Sequence, residues 1–225
     1  NLPDCSNMCH ESSGKGLVQS VGIGKGTVNL QDFDKADVIL VIGQNPGTNH
    51  PRMLTALRDA KDAGATIVHV NPLSEAGLTR FKHPQEYMKG RLRSTTLADH
   101  HLQVRIGGDA ALLKGLIKCQ LAAGAVDANF VEQKTVDFEA MAESARSTPW
   151  DKIVQDSGIS KSDILEVGAL LATSKATIAC WAMGLTQHRN GVAVIQEVVN
   201  LLLMNGHIGR PGAGLCPVPV SYTHL

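Results

Sequence analysis

The residues of this chain best suited to chemistry are Cys9 and His10, which close the stretch Asp4-Cys5-Ser6-Asn7-Met8-Cys9-His10-Glu11. A thiolate is a nucleophile and a soft metal ligand, and an imidazole titrates near neutrality and can lower a thiol pKa or move a proton. Cys5 and Cys9 alone do not make a zinc or iron–sulfur site, which needs three or four ligands at suitable spacing. Cys119, Cys180 and Cys216 are single and distant. Cys119 and Cys180 fall in a predicted helix and strand, where a buried structural thiol is expected. Cys9 is therefore a single thiolate ligand, a nucleophile or a buried thiol.

The second group is Gly43-Gln44-Asn45-Pro46-Gly47-Thr48-Asn49-His50-Pro51, which follows the apolar run 37–42. A buried strand emptying into a Gly/Asn loop and then a helix is where open α/β sheets bind ligands. Asn45, Thr48 and Asn49 supply hydrogen-bonding groups. Trp181-Ala182-Met183-Gly184-Leu185-Thr186-Gln187 follows another predicted strand in the same way. Gly22-Ile23-Gly24-Lys25-Gly26 reads as a flexible turn, because no strand precedes it and no P-loop ending follows. The glycine-dense 206–214 reads as a loop. The strand at 66–70 ends in Asn71, where a carboxylate would hold an NAD ribose, so a nicotinamide enzyme is disfavoured.

These groups need a scaffold. Strands are predicted at 37–42, 66–70, 102–106 and 177–181. Helices are predicted at 11–20, 51–63, 110–123, 127–133, 149–157, 160–174 and 192–205, with the turn Gly107-Gly108-Asp109 and Ser160 or Ser162 as caps. Residues 74–100 read as irregular. The alternation gives an α/β fold with a Rossmann-like, doubly wound, mostly parallel sheet.

The 225 residues carry 21 basic and 21 acidic side chains, which gives no support for a nucleic-acid partner. The longest apolar run, 192–204, is interrupted by Gln196, Glu197 and Asn200, so no membrane span is expected. Five cysteines, an odd number, fit a reduced, cytoplasmic setting better than a disulfide framework. The chain begins at Asn1 with no signal-like segment and reads as part of a longer protein.

Taken in order, five segments resemble the cofactor-binding region of a molybdopterin oxidoreductase of the formate dehydrogenase alpha-subunit type, within its acid-resistance-associated branch. They are residues 4–11, Val41-Ile-Gly-Gln-Asn-Pro-Gly-Thr-Asn-His-Pro51, Val70-Asn-Pro72, Trp181-Ala-Met-Gly-Leu-Thr-Gln187 and Asn205-Gly-His-Ile-Gly-Arg-Pro-Gly-Ala-Gly214. The resemblance implies a molybdenum (or tungsten) ion held by a bis-molybdopterin guanine dinucleotide cofactor. It casts Cys9 as metal ligand and His10 as the residue handling a substrate proton. It assigns cofactor contacts to Gly43, Asn45, Pro46, Asn49, Asn71, Pro72, Gly107, Asp109, Met183, Gly184 and Gln187. A small substrate, with formate the leading candidate, and an electron acceptor are the implied partners. A 4Fe–4S cluster is expected in the full-length protein, outside this chain.

The sequence departs from that family at two places. Leu73 replaces the arginine of an Asp-Pro-Arg motif. Pro219 stands where an arginine would orient an anionic substrate, and residues 219–225 read as a tail foreign to the family, leaving 1–218 as the cofactor-binding domain. Two rivals are a non-catalytic α/β domain of a related electron-transfer complex and a cysteine-nucleophile enzyme. The Cys9-His10 pair argues against the first, and poor reach between adjacent residues against the second.

Overall fold

The computed structural model describes residues 9–83 and 94–219. Five strands form one all-parallel sheet in the order β3-β2-β1-β4-β5: β1 Val38–Ile42, β2 Thr66–Val70, β3 His100–Leu102, β4 Thr177–Trp181 and β5 Gly214–Pro217. β1 and β4 are buried along their whole length, which is why both read as continuous apolar runs rather than alternating ones.

The sheet is covered on both faces. Val38, Leu40 and Ile42 of β1 point into one core with Ala179 and Trp181 of β4. Helices α1 (Glu11–Val21), α5 (Asp109–Ala122), α9 (Lys161–Thr173) and α11 (Gly191–Leu203) complete that core. Ile39 and Val41 point the other way, with Ile67, Ile178 and Cys180, onto Leu54, Leu57 and Ala60 of α3 (Met53–Asp62) and Phe33 of the 3-10 helix Leu30–Lys35. The period-two alternation of β1 thus feeds two separate cores, the signature of a doubly wound sheet.

Strand order reverses between β1 and β4. The chain leaves β1 toward β2 on one side and later returns through β4 on the other, so a crevice opens outside the carboxyl ends of these two strands. The loops leaving them open onto it.

Several boundaries differ from expectation. The third strand lies at His100–Leu102 rather than 102–106, since Ile106 is 83% exposed and belongs to a turn. Within the predicted cap Gly107-Gly108-Asp109, Gly108 holds the N-cap position and Asp109 is the first, buried residue of α5. Ser160 does cap α9, accepting from the Asp163 N–H at 3.2 Å. The helix predicted over 51–63 is α3, Met53–Asp62, and the loop before it holds an additional short helix, α2 (Pro46–Asn49), opened by Pro46. Residues 74–100 contain α4 (Ala76–Thr79) and a Phe81–Thr95 bridge among the described residues.

Besides the 3-10 helix and the one-turn helices α2, α4 and α10 (Met183–Thr186), two further elements were absent from the sequence reading. Helix α7 (Phe138–Ser147) buries only Ala142 and Ala145, too small a face to give a helical signal, and sits against α5. Strand β5 is four residues long, bounded by glycines and ending in Pro217, so it looked like loop; as an edge strand it tolerates the proline. The shorter helices α6 (Ala128–Lys134), α8 (Trp150–Ser157) and α10 (Met183–Thr186) complete the fold.

Candidate active site

Cys9 and His10 are buried immediately ahead of α1. Thr186 ties Cys9 to the β4 loop: its Oγ1 donates to the Cys9 carbonyl at 2.6 Å, while Ser12 Oγ donates to the Thr186 carbonyl at 3.1 Å. This reciprocal pair sets the thiol against the carboxyl end of β4. Cys5 lies outside the described residues.

His10 is oriented by a buried relay. Trp181 Nε1 donates to Ser13 Oγ at 2.8 Å, and Ser13 Oγ is 2.8 Å from His10 Nδ1. The relay is met when Ser13 accepts from the indole and donates to Nδ1, which assigns the imidazole proton to Nε2. Nε2 is buried and makes no hydrogen bond of good geometry among the described residues, the Val218 backbone being the polar group that faces the ring. Burial lowers the His10 pKa, the Val218 backbone opposes this, and His50 adds to the lowering by charge repulsion. The ring is therefore held neutral near pH 7.

The loops after β1 and β4 meet backbone to backbone. Gly43 has φ of +56°, and the Gly184 N–H donates to its carbonyl at 3.0 Å. A Cβ on Gly184 would lie 2.5 Å from the Gly43 Cα. Only glycine allows this approach, which explains both positions more fully than a general loop preference does. Met183 opens α10 beside this contact, and Gln187 follows it.

Asn45 caps α2 through its Oδ1, which accepts from the Thr48 N–H at 3.1 Å. Pro46 is buried at the first position of α2, and Asn49 ends that helix. The helix stays close to α4 because Gly47 and Gly77 touch: a Cβ on Gly77 would lie 2.8 Å from the Gly47 Cα. Asn71 follows β2, and Gln103 Nε2 donates to the Pro72 carbonyl at 3.0 Å. Gly107 turns the chain after β3. Asp109, raised in pKa mainly by burial and opposed by its own backbone N–H and by His188, is buried beside Ile42 of β1 and Val70 of β2. The structure thus brings the Cys9 segment and the loops of Gly43, Met183 and Gly184 together, and places Asn45, Pro46, Asn49, Asn71 and Pro72 in the segments after β1 and β2 and Gly107 and Asp109 after β3.

Two cavities flank the crevice. One, of about 470 Å³, is lined by His10, Ser13, Gly24, Lys25 and Pro217. The 22–26 turn read as merely flexible is therefore a wall of the His10 cavity, pinned to β5 by the Thr27 N–H donating to the Leu215 carbonyl at 2.8 Å. The other, of about 570 Å³, is lined by Asn45, Arg52, Glu75 and Arg80. Ser13, Thr186, Gln44, His50 and Glu75 were not singled out from sequence, because single polar residues at ordinary spacing give no signal. His50 Nε2 lies 3.3 Å from the Pro219 carbonyl, and Gln44 is buried with its Oε1 unpartnered.

A family model for molybdopterin oxidoreductase matches residues 4–219. The chain belongs to the molybdopterin oxidoreductase family. This family member is 49% identical over 224 residues to an uncharacterized oxidoreductase of Mycobacterium tuberculosis, covering 97% of the chain and 29% of that protein. It is 47% identical over 229 residues to the protein YdeP of Escherichia coli, covering 97% and 30%. Formate dehydrogenase H of Escherichia coli is 27% identical over 218 residues, with 97% and 28% covered. The chain thus spans less than a third of the length of these relatives. Acetylene hydratase from Pelobacter acetylenicus superposes with a TM-score of 0.73 at 23% identity, over 94% of this chain and 27% of that one, and shows the same fold.

A molybdopterin oxidoreductase domain implies a pterin cofactor with molybdenum or tungsten. The residues present fit such a group: a buried thiol beside a buried imidazole nitrogen that lacks a well-formed hydrogen bond, with loops whose glycines admit close backbone approach. Among the described residues no three His, Cys, Asp or Glu side chains converge as a metal cage. No helix among them is long and apolar enough to cross a membrane.

Proposed function

We propose that this chain is the central cofactor-binding part of a formate dehydrogenase-like oxidoreductase that uses a bis-molybdopterin guanine dinucleotide, with Cys9 as the protein ligand to molybdenum or tungsten. When bound, that group would supply the two-electron chemistry, and the protein would supply position and electrostatics. The observation that carries the reading is the Cys9–His10 pair at the topological switch point, with His10 Nε2 buried and without a well-formed hydrogen bond.

Each residue has a task in this reading. Cys9 holds the metal through sulfur, a soft donor suited to it. Ser13 and Trp181 clamp the Nδ1 edge of His10, and burial keeps its ring neutral, so Nε2 is the atom that holds or passes a substrate proton. The Gly43–Gly184 contact brings backbone, rather than side chains, to the crevice. Asn45, Pro46, Asn49, Asn71, Pro72, Gly107, Asp109, Met183 and Gln187 are proposed cofactor contacts, and the domain is proposed to run to residue 218.

Formate is the leading substrate, supported by the name of a 27%-identical relative. A cytoplasmic setting, a 4Fe–4S cluster elsewhere in the full-length protein and a separate electron acceptor complete the proposal. The test is metal and pterin analysis of the full-length parent, made in a host that builds the cofactor, with Cys9→Ser alongside. Metal with guanine dinucleotide pterin, and an altered paramagnetic signature in Cys9→Ser, are expected. A well-folded parent free of metal and pterin would overturn the reading in favour of a non-catalytic domain.

A further inference from the structure

The structure returns a carboxylate to the place where the sequence lacked one. β2 ends at Asn71, an amide, and the arginine position after Pro72 is Leu73. Four residues beyond Asn71, the Glu75 side chain folds back over that strand end. Its Oε1 accepts from Asn71 Nδ2 at 3.0 Å, and its Oε2 accepts from Asn45 Nδ2 at 2.5 Å. Glu75 therefore joins the loops that follow β1 and β2, and it lines the cavity of about 570 Å³ bounded by α2, the start of α3, α4 and residues 80–83.

We infer that Glu75 binds the ribose diol of a nucleotide seated in this cavity. This rests on the proposed function, in which the nucleotide is the guanosine end of the cofactor. A carboxylate has about four acceptor positions, and the two asparagines occupy two of them. The remaining lone pairs suit two adjacent hydroxyl donors, and the carboxyl end of the second strand is where α/β nucleotide-binding units put such an acceptor. The asparagines hold the carboxylate in one orientation, as a diol clamp requires. Arg52, Arg80 and Lys82 line the same cavity and supply the positive charge that a diphosphate needs. The Gly47–Gly77 contact keeps the wall between α2 and α4 closed behind Asn45.

The test uses the full-length parent in its cofactor-free form, titrated with guanosine diphosphate, its 2′,3′-dideoxy analogue and NAD. Wild type should bind the diphosphate at least tenfold more tightly than the dideoxy analogue. Glu75→Gln should lose about that factor for the diphosphate and no longer distinguish the two. Equal binding of the two nucleotides by wild type, undiminished binding by Glu75→Gln, or tighter binding of NAD would each overturn the inference. The wild-type comparison needs no variant, so a poorly folding Glu75→Gln leaves it intact. The cofactor-loaded parent gives a separate reading: metal and pterin present, with no guanosine diphosphate binding in the empty form, sinks the Glu75 assignment alone. A parent without metal or pterin sinks the proposed function.

Discussion

Gly43 and Gly184 are in backbone contact across the switch point, with the Gly184 N–H donating to the Gly43 carbonyl at 3.0 Å. This contact joins the loops of two strands that are distant in sequence but adjacent in the sheet. A Cβ on Gly184 would strike the Gly43 Cα, carbonyl carbon and oxygen, none of which can rotate away. Gly184→Ala should therefore cost about 2 kcal/mol, as overpacking does. For a domain of this size that lowers the melting temperature by roughly 4–8 °C, measurable by calorimetry. Unchanged melting would show that the loops can part freely.

Ser13 is the shared partner of Trp181 and His10. Ser13→Ala leaves a buried indole N–H and a buried imidazole nitrogen unpaired, at a cost of about 2 kcal/mol or more. The near-ultraviolet circular dichroism of Trp181, read in a Trp150→Phe background, should weaken as its ring loses its anchor. A variant as stable as the parent, with the same spectrum, would argue against the relay.

His69 is buried on β2 with its Nε2 unpartnered, stacked on His101. Burial, then the charge of His101, lowers its pKa from 6.5 to about 4, against the pull of the Gln44 backbone. The unfolded chain therefore binds the proton first as pH falls. The stability held by neutral His69 is complete above pH 6.5, is lost between 6.5 and about 4, and falls no further below that. Between pH 7 and 5 the loss is about 2 kcal/mol from this residue. His69→Asn should remove that share of the pH dependence in urea titrations at the two pH values. A pH slope equal to the parent's would exclude His69 as a source.

Asp37 fastens the start of β1 to the turn before β4. Its Oδ2 accepts from the Lys175 and Ala176 N–H groups at 2.7 and 3.2 Å. Asp37→Ala should cost about 2 kcal/mol, with Asp37→Asn intermediate because one acceptor oxygen remains. Amide exchange at Lys175 and Ala176 should accelerate in the alanine variant; protection equal to the parent's would count against this role.

The chemistry of the site was legible in residue types: a Cys-His pair, and Gly/Asn loops after buried strands. The central strands β1, β2 and β4 were legible because burial on both faces forces a continuous apolar run, as in Val38–Ile42. Most helices were legible from caps and periodicity, as with Ser160 before α9. Strand β5 was not, because its backbone hydrogen bonds go to β4, a partner that local sequence does not record.

The same limit separates the two halves of the site. Sequence alone singled out Cys9, His10 and the strand-end loops as the candidate functional groups. Tertiary structure decided which of them meet. Thr186 reaches Cys9 across 177 positions, Trp181 reaches Ser13 across 168, and Glu75 reaches Asn45 across 30. Contacts over such separations depend on strand order and register, which arise when the whole sheet closes its two cores and leave no trace in local spacing.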